Sequence, residues 1–287
     1  MGKITPFFMF DNNLGEALEL YKSSFRDAKI LDENRANGSV MSATFSIYGQ
    51  EFLSFNGGPH FKFTPSISLF VNCKKNEDLE FLWNELKRDG SVLMELGSYP
   101  FSGKFGWLQD RFGVSWQLNL SEQEEKIYPF LMFSGENFGK AEEAIRFYTS
   151  QFPNSKIDRI EKMGAEGPGT EGTIKRAKFS LSGQDFMAID SGIPHQFNFS
   201  QAISFFVKCE TQSEIDEYWE RLSEGGEKQR CGWVKDRYGV SWQIIPPILG
   251  ELLHDTDREK SDRVLGAMLQ MGKIEIDGLK KAYTAKS

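Results

Sequence analysis

Histidine and cysteine are scarce in this chain, with three of each in 287 residues. Three histidines exclude a histidine-rich metal centre. Cys73, Cys209 and Cys231 form no CxxC pair and cannot all be bridged, so they read as reduced thiols of a cytoplasmic protein. The N-x-S triplets at Asn37, Asn119 and Asn198 are then chance matches. A basic surplus is also missing: Lys and Arg number 34 against 41 Asp and Glu, a formal charge of −7. That balance argues against nucleic acid, whose phosphates need neutralising. The longest apolar runs, such as "ISLFVNC" from Ile67, have strand length and exclude a helical membrane span. The opening "MGKITPFF" has no apolar signal core, and Pro6 stands where myristoylation needs Ser or Thr. What the chain does have is phenylalanine: 25 residues that must pack cores or line apolar cavities. The length is comfortable for two domains.

The second feature present is a repeat. "GWLQDRFGVSWQL" from Gly106 returns as "GWVKDRYGVSWQI" from Gly232. "PFFMF" from Pro6 returns as "PFLMF" from Pro129, and "EALELYKSSF" from Glu16 as "EAIRFYTSQF" from Glu143. "ISLFVNC" from Ile67 returns as "ISFFVKC" from Ile203. A period this long indicates duplicated domains rather than a solenoid.

Each repeat divides again. A short strand, "ITPFFMF", precedes a helix whose Leu14, Leu18, Tyr21 and Phe25 keep a 3.6-residue spacing. Three strand-like stretches follow, and then the order restarts with "ISLFVNC" and the helix "NEDLEFLWNELKRDG". Each repeat therefore reads βαβββ–βαβββ. The segment from Ile248 onward has helical periodicity around Val264, Met268 and Met271, with Asp277 as a cap; it reads as two helices covering the second domain. The glycine-rich "GAEGPGTEG" from Gly164 lacks a following Lys-Ser/Thr and reads as a hairpin loop.

The βαβββ pairs ending in D-R-[FY]-G-V-S-W-Q resemble the vicinal oxygen chelate superfamily, which includes glyoxalase I, extradiol dioxygenases and bleomycin-resistance proteins. "PFFMF", "FNGGPHFKF", "KDRYGVSWQI" and "AMLQMGKIEIDGLKKAY" are similar to its PhnB-like branch, members of which carry a demethylubiquinone methyltransferase label. The resemblance implies an α+β fold of tandem domains, 1–121 and 128–247, each with two βαβββ modules forming a bowl-shaped mixed sheet with flanking helices. Residues 248–287 become a C-terminal helical extension. In metal-dependent members, side chains on the first, fourth, fifth and eighth strands hold a divalent ion. Matched by pattern, those positions are Pro6, Ser54, Ser66 and Gln117, then Pro129, Ala188, Ala202 and Gln243. Proline cannot ligate, and hydroxyl, methyl and amide groups suit a divalent cation poorly. The expectation is no metal and no cofactor.

If Gln117 points into the bowl, alternation turns Ser115 inward and Trp116 and Leu118 toward the helices. The inward wall of the first repeat is then Phe8, Phe10, Ser54, Ser66, Ser68, Phe70, Ser115 and Gln117. The second wall is Leu131, Phe133, Ala188, Asp190, Ser204, Phe206, Ser241 and Gln243. Such walls suit a small, mostly apolar ligand with a few oriented polar contacts. His60 and His195 follow Gly/Pro turns, and each reads either as a proton shuttle or as an ordinary loop residue. Asp190 reads as a base or as a turn cap; His254 reads as structural or exposed. Asp110-Arg111 and Asp236-Arg237, ahead of a turn glycine, read as ion pairs or as turn-stabilising hydrogen bonds.

Three functions stay open: a small-molecule binding protein with a metal-free pocket, an enzyme (lyase, isomerase or dioxygenase) with a noncanonical site, and an interaction module with a filled bowl. Methyl transfer gains no support, since no glycine loop follows a first parallel strand. The expected partners are an unidentified small ligand, no nucleic acid and no membrane, with the two domains pairing inside the chain and further self-association open. If only one bowl is open, Leu131, Ala188 and Asp190 favour the second repeat.

Overall fold

A computed structural model describes residues 4–165 and 169–285. The first repeat runs β1 (Ile4–Phe10), α1 (Leu14–Ser24), β2 (Lys29–Ala36), β3 (Ser39–Ile47) and β4 (Gln50–Asn56). It continues β5 (Ile67–Cys73), α2 (Asn76–Leu86), β6 (Ser91–Tyr99), β7 (Ser102–Gln109) and β8 (Ser115–Leu120). The second repeat follows as β9 (Lys126–Phe133), α3 (Ala141–Gln151), β10 (Lys156–Lys162), β11 (Ile174–Leu181) and β12 (Gln184–Asp190). Its second half is β13 (Ile203–Lys208), α4 (Gln212–Ser223), β14 (Glu227–Lys228), β15 (Trp233–Lys235) and β16 (Ser241–Ile245). Residues Glu166, Gly167 and Pro168 of the glycine-rich stretch lie outside the described residues; its flanks join β10 to β11.

The strands assemble into two eight-stranded mixed sheets, and each sheet takes one βαβββ module from each repeat. The first sheet has the order β14-β15-β16-β13-β1-β4-β3-β2, and the second β10-β11-β12-β9-β5-β8-β7-β6. The joints are antiparallel pairs, β1 with β13 and β5 with β9. Within modules, β1–β4, β5–β8, β9–β12 and β13–β16 are parallel, as βαβ-type connections require.

Helices α1 to α4 occupy the space between the sheets. On α1, Leu14, Leu18 and Tyr21 are buried on the first sheet, yet Tyr21 and Phe25 also touch Trp116 of the second, with ring centroids 5.2 and 5.3 Å apart. Phe152 and Trp242 repeat that contact at 5.3 Å. One continuous apolar core results. Each sheet thus has a helix face, buried in this core, and an open face turned away from it.

Two local features explain how the sequence directs this. The helix N-termini are held from the sheet: Asn56 Oδ1 accepts from the Leu14 N–H at 3.1 Å, and Asp190 Oδ1 accepts from Gly139 and Ala141 at 2.8 and 3.2 Å. After α2 and α4, a side chain at Gly90 or Gly226 would meet the carbonyl of Gln109 or Lys235 at 2.3 or 2.2 Å, so both repeats need glycine there.

The tail differs from the two helices anticipated. It forms three: α5 (Pro247–Leu253), α6 (Arg258–Gln270) and α7 (Ile276–Thr284). Pro246 and Pro247 start α5 by presetting φ and supplying no N–H. Asp257 caps α6, whereas Asp277 lies inside the first turn of α7 rather than capping it. No helix among the described residues is long and apolar enough to cross a membrane.

Candidate functional site

Alternation along paired strands defines the open faces. On the first sheet, Phe7 pairs with both Ser204 and Leu53, and Phe206 pairs with Gln243. On the second, Phe130 pairs with Ser68 and Met187, and Phe70 with Gln117. In each face the glutamine amide donates to the serine one strand away: Gln243 Nε2 to Ser204 Oγ at 2.9 Å, and Gln117 Nε2 to Ser68 Oγ at 2.7 Å.

The fifth- and eighth-strand residues singled out from sequence, Ser68, Phe70, Ser115, Gln117, Ser204, Phe206, Ser241 and Gln243, take open-face positions. Ser66, just ahead of β5, is fully buried with a hydroxyl that has no hydrogen-bond partner. The first- and fourth-strand assignments require correction. Phe8, Phe10 and Ser54 lie on the helix face: Phe8 stacks on Phe52 at 5.5 Å, Phe10 meets Phe63 at 5.1 Å, and Ser54 Oγ donates to the Ala43 carbonyl. Leu131, Phe133, Ala188 and Asp190 are likewise in or against the core under α3. Phe7, Met9, Phe130 and Met132 take their places on the open side. The physical reason is that "PFFMF" and "PFLMF" are apolar on both faces, so alternation carries no sign there. For the same reason the argument that the second repeat would hold the open pocket, built on Leu131, Ala188 and Asp190, falls away.

Asp190 is a cap. Besides the α3 N–H groups, it accepts from Ile174 N–H at 2.8 Å. Burial pushes its carboxyl above the ordinary value, against those three backbone hydrogen bonds. His60 is exposed in the loop between β4 and β5. His195 is half-buried, stacked on Phe197 at 4.7 Å with Nε2 3.0 Å from Ser191 Oγ, and burial lowers its imidazole. His254 Nδ1 lies 2.8 Å from the Gly250 carbonyl in the tail.

A divalent ion does not fit these residues. The groups that meet at mid-sheet are an amide and a hydroxyl already joined to each other, flanked by Phe, Leu and Met. Among the described residues no group of three or more His, Cys, Asp or Glu side chains could hold a metal. The buried carboxylates stand elsewhere. Asp110 Oδ2 accepts from Tyr21 OH and Trp116 Nε1, both at 2.9 Å, and its Oδ1 from the Phe112 and Val114 N–H groups. Asp236 repeats this with Tyr148, Trp242, Tyr238 and Val240. Both carboxyls are pushed up to about 6, chiefly by burial.

The faces differ in what surrounds the common amide–hydroxyl pair. On the second, Trp107 Nε1 donates to Ser115 Oγ at 2.8 Å, and the β6–β7 hairpin extends an aromatic wall from Phe70 through Phe105 to Phe101. A cavity of ≈ 300 Å³ lies beside that wall. On the first, β14 and β15 are short, Trp233 meets Phe7 instead, and the Ser241 hydroxyl is buried without a partner. Here the tail packs on Ile245 and Phe206 through Leu249, Val264, Ile274 and Leu279. A cavity of ≈ 460 Å³ remains between Ser241 and the loop from Gln196 to Gln201. Sequence reasoning missed the second face's Tyr128, Arg176 and Lys178. The signal was there: where the first repeat reads Ser42 and Thr44, the second reads Arg176 and Lys178.

The chain matches the family described as 3-demethylubiquinone-9 3-methyltransferase twice, over residues 2–119 and 125–245. No curated protein matches it. Among solved structures, the PhnB protein from Bacillus cereus is 44% identical, covering 42% of this chain and 99% of its own, with a TM-score of 0.40. A Staphylococcus aureus protein is 38% identical over 41% of this chain and 95% of its own, with a TM-score of 0.19. Glyoxalase I from Zea mays is 11% identical but covers 84% of this chain and 92% of its own at a TM-score of 0.55, a likeness of fold. The bacterial relatives are thus one repeat long, and glyoxalase I spans both repeats.

Proposed function

The chain belongs to the PhnB-like branch of the vicinal oxygen chelate superfamily, and from that membership we propose that it binds a small, largely apolar molecule on a metal-free open face of its sheets. The carrying observation is the closed amide–hydroxyl pair at mid-sheet, Gln117 with Ser68 and Gln243 with Ser204, set among aromatic and aliphatic side chains. Such a surface offers dispersion and hydrophobic contact with few oriented polar groups, the usual make-up of a small-molecule site. Among the described residues its mid-sheet positions supply no carboxylate or imidazole to polarise a substrate oxygen.

Methyl transfer, which the family's description names, finds no support in the geometry. Both sheets are mixed, and among the described residues no glycine-rich turn joins a first parallel strand to a helix for a nucleotide to sit on.

The test is a native mass spectrum of untagged protein purified without chelator. The expected mass is that of the 32.7 kDa chain, bare or with an organic adduct. A stoichiometric divalent ion overturns the metal-free reading and directs the search to diol, catechol and hemithioacetal substrates.

A further inference from the structure

Resting on that reading, we propose that the open face of the second sheet is a site for a planar aromatic carboxylate, held by Arg176 and Lys178 against the aromatic wall. Register places Arg176 and Lys178 at successive open-face positions of β11, with Glu161 and Arg159 of β10 opposite them in that order. Three cations line the cavity, Arg159, Arg176 and Lys178, and a fourth, Lys126, stands beside it over the Tyr128 ring. Two are already matched: Lys126 with Asp185 at 2.6 Å and Arg159 with Glu161 at 2.6 Å. Among the described residues Arg176 and Lys178 have no carboxylate partner, and both are half-buried. The Lys178 ammonium lies 5.1 Å from the Tyr128 ring, a contact that positions it without neutralising it. Partial burial strengthens the attraction of such cations for an anion relative to bulk water.

The rest of the cavity suits a flat ring. Phe70 stacks on Phe130 with centroids 6.0 Å apart, and Phe101 meets Phe105 at 5.1 Å where the β6–β7 hairpin reaches over. A polar relay crosses the floor: Ser102 Oγ donates to Asn119 Oδ1 at 2.7 Å, and Asn119 Nδ2 donates to Asn72 Oδ1 at 3.0 Å. That relay uses the Asn72 oxygen and leaves its amide N–H groups without a protein partner among the described residues, in a side chain 4% exposed that lines the cavity. A carboxylate takes charge from the two cations and a hydrogen bond from such an amide. The cavity's ≈ 300 Å³ sets the size at one or two fused rings. The matching positions of the first sheet, Ser42, Thr44 and Asp32, carry no positive charge, so the same template provides an internal control.

The experiment is calorimetric titration of the full chain with 2-naphthoate and with neutral 2-naphthamide. Naphthoate should bind about tenfold more tightly, and the preference should collapse between low and high salt. In Arg176→Gln with Lys178→Gln the preference should vanish while naphthamide affinity stays within about twofold. Equal affinity for both probes, or a preference that survives the double substitution or high salt, overturns the proposal and leaves the apolar-pocket reading standing. Binding of neither probe overturns both.

Discussion

Where the second sheet carries Asn119, hydrogen-bonded to Asn72 and Ser102, the first carries Ile245, and on Ile245 the tail helices are assembled. The same exchange runs across the rest of the two faces. Tyr128, Arg176 and Lys178 stand on the second where Thr5, Ser42 and Thr44 stand on the first. A long β6–β7 hairpin borders the second face, and the two- and three-residue strands β14 and β15 border the first. The helix faces diverge less: Leu131, Ala188 and Asp190 replace Phe8, Ser54 and Asn56, but both keep the Tyr–Asp–Trp network and the Tyr and Phe contacts on its tryptophan. Packing against helices constrains volume, so duplicated cores keep their shared contacts. An open face has no such constraint and is free to specialise, one toward covering by its own chain and one toward a charged, aromatic recess.

The comparison breaks most visibly at the tail. Val264 is fully buried in the small core that covers the first face, so Val264→Asp places an unpaired carboxylate there at a cost of several kcal/mol. Hydrogen exchange should show α6 and α7 losing protection while β5 and β9 keep theirs. Equal loss in both would make tail and sheets one cooperative unit. Next in size is the shared network. Asp110→Ala and Asp236→Ala each strand a tyrosine hydroxyl, an indole N–H and two backbone N–H groups, and each should lower unfolding free energy by about 3 kcal/mol in urea titrations. A difference between them larger than about 1 kcal/mol would show that the shared network has diverged too.

The pH dependence of that network is smaller and has a definite sign. Both carboxyls rise from an ordinary 3.8 to about 6 on folding, because burial disfavours the charge. A group raised in this way stabilises the fold fully below its unfolded value, and the contribution is lost as pH rises through the folded one. Stability from this pair should therefore decline between about pH 4 and 6, and Asp110→Asn with Asp236→Asn should flatten that part of the profile. The smallest effect belongs to the mid-sheet pairs. Gln117→Leu and Gln243→Leu leave Ser68 or Ser204 without its donor, at about 1 kcal/mol each by chemical denaturation. On the second face, the added apolar area should also tighten naphthamide.

Legibility from sequence followed the contrast between the two sides of each strand. "SWQL" alternates serine and glutamine with tryptophan and leucine, so its register was readable, and with it Ser115, Gln117 and the burial of Trp116. "FFMF" has no such contrast, and Phe8 and Phe10 went to the wrong side. Asp190 stayed open between base and turn cap because a strand-end carboxylate in sequence shows neither its direction nor its donors; the three N–H groups it caps come from Gly139, Ala141 and Ile174. The tail's helical period was visible, but the break at Asp255–Asp257 that makes three helices of it was not.

The sequence by itself determined the duplication, the four βαβββ modules and their helix stripes, because these rest on local periodicity and on contacts close in the chain. It also determined that Ser68, Gln117, Ser204 and Gln243 share one side of their strands, because serine and glutamine alternate there with apolar residues. Only the tertiary structure decided which modules share a sheet, since β1 meets β13 and β5 meets β9 through backbone hydrogen bonds that any residue can make. With that pairing came the rest: which half of each repeat faces which, the covering of one open face by α5 to α7, and the meeting of Arg176 and Lys178 with Phe70 across β12, β9 and β5. Those are relations between distant segments, and no local pattern encodes them.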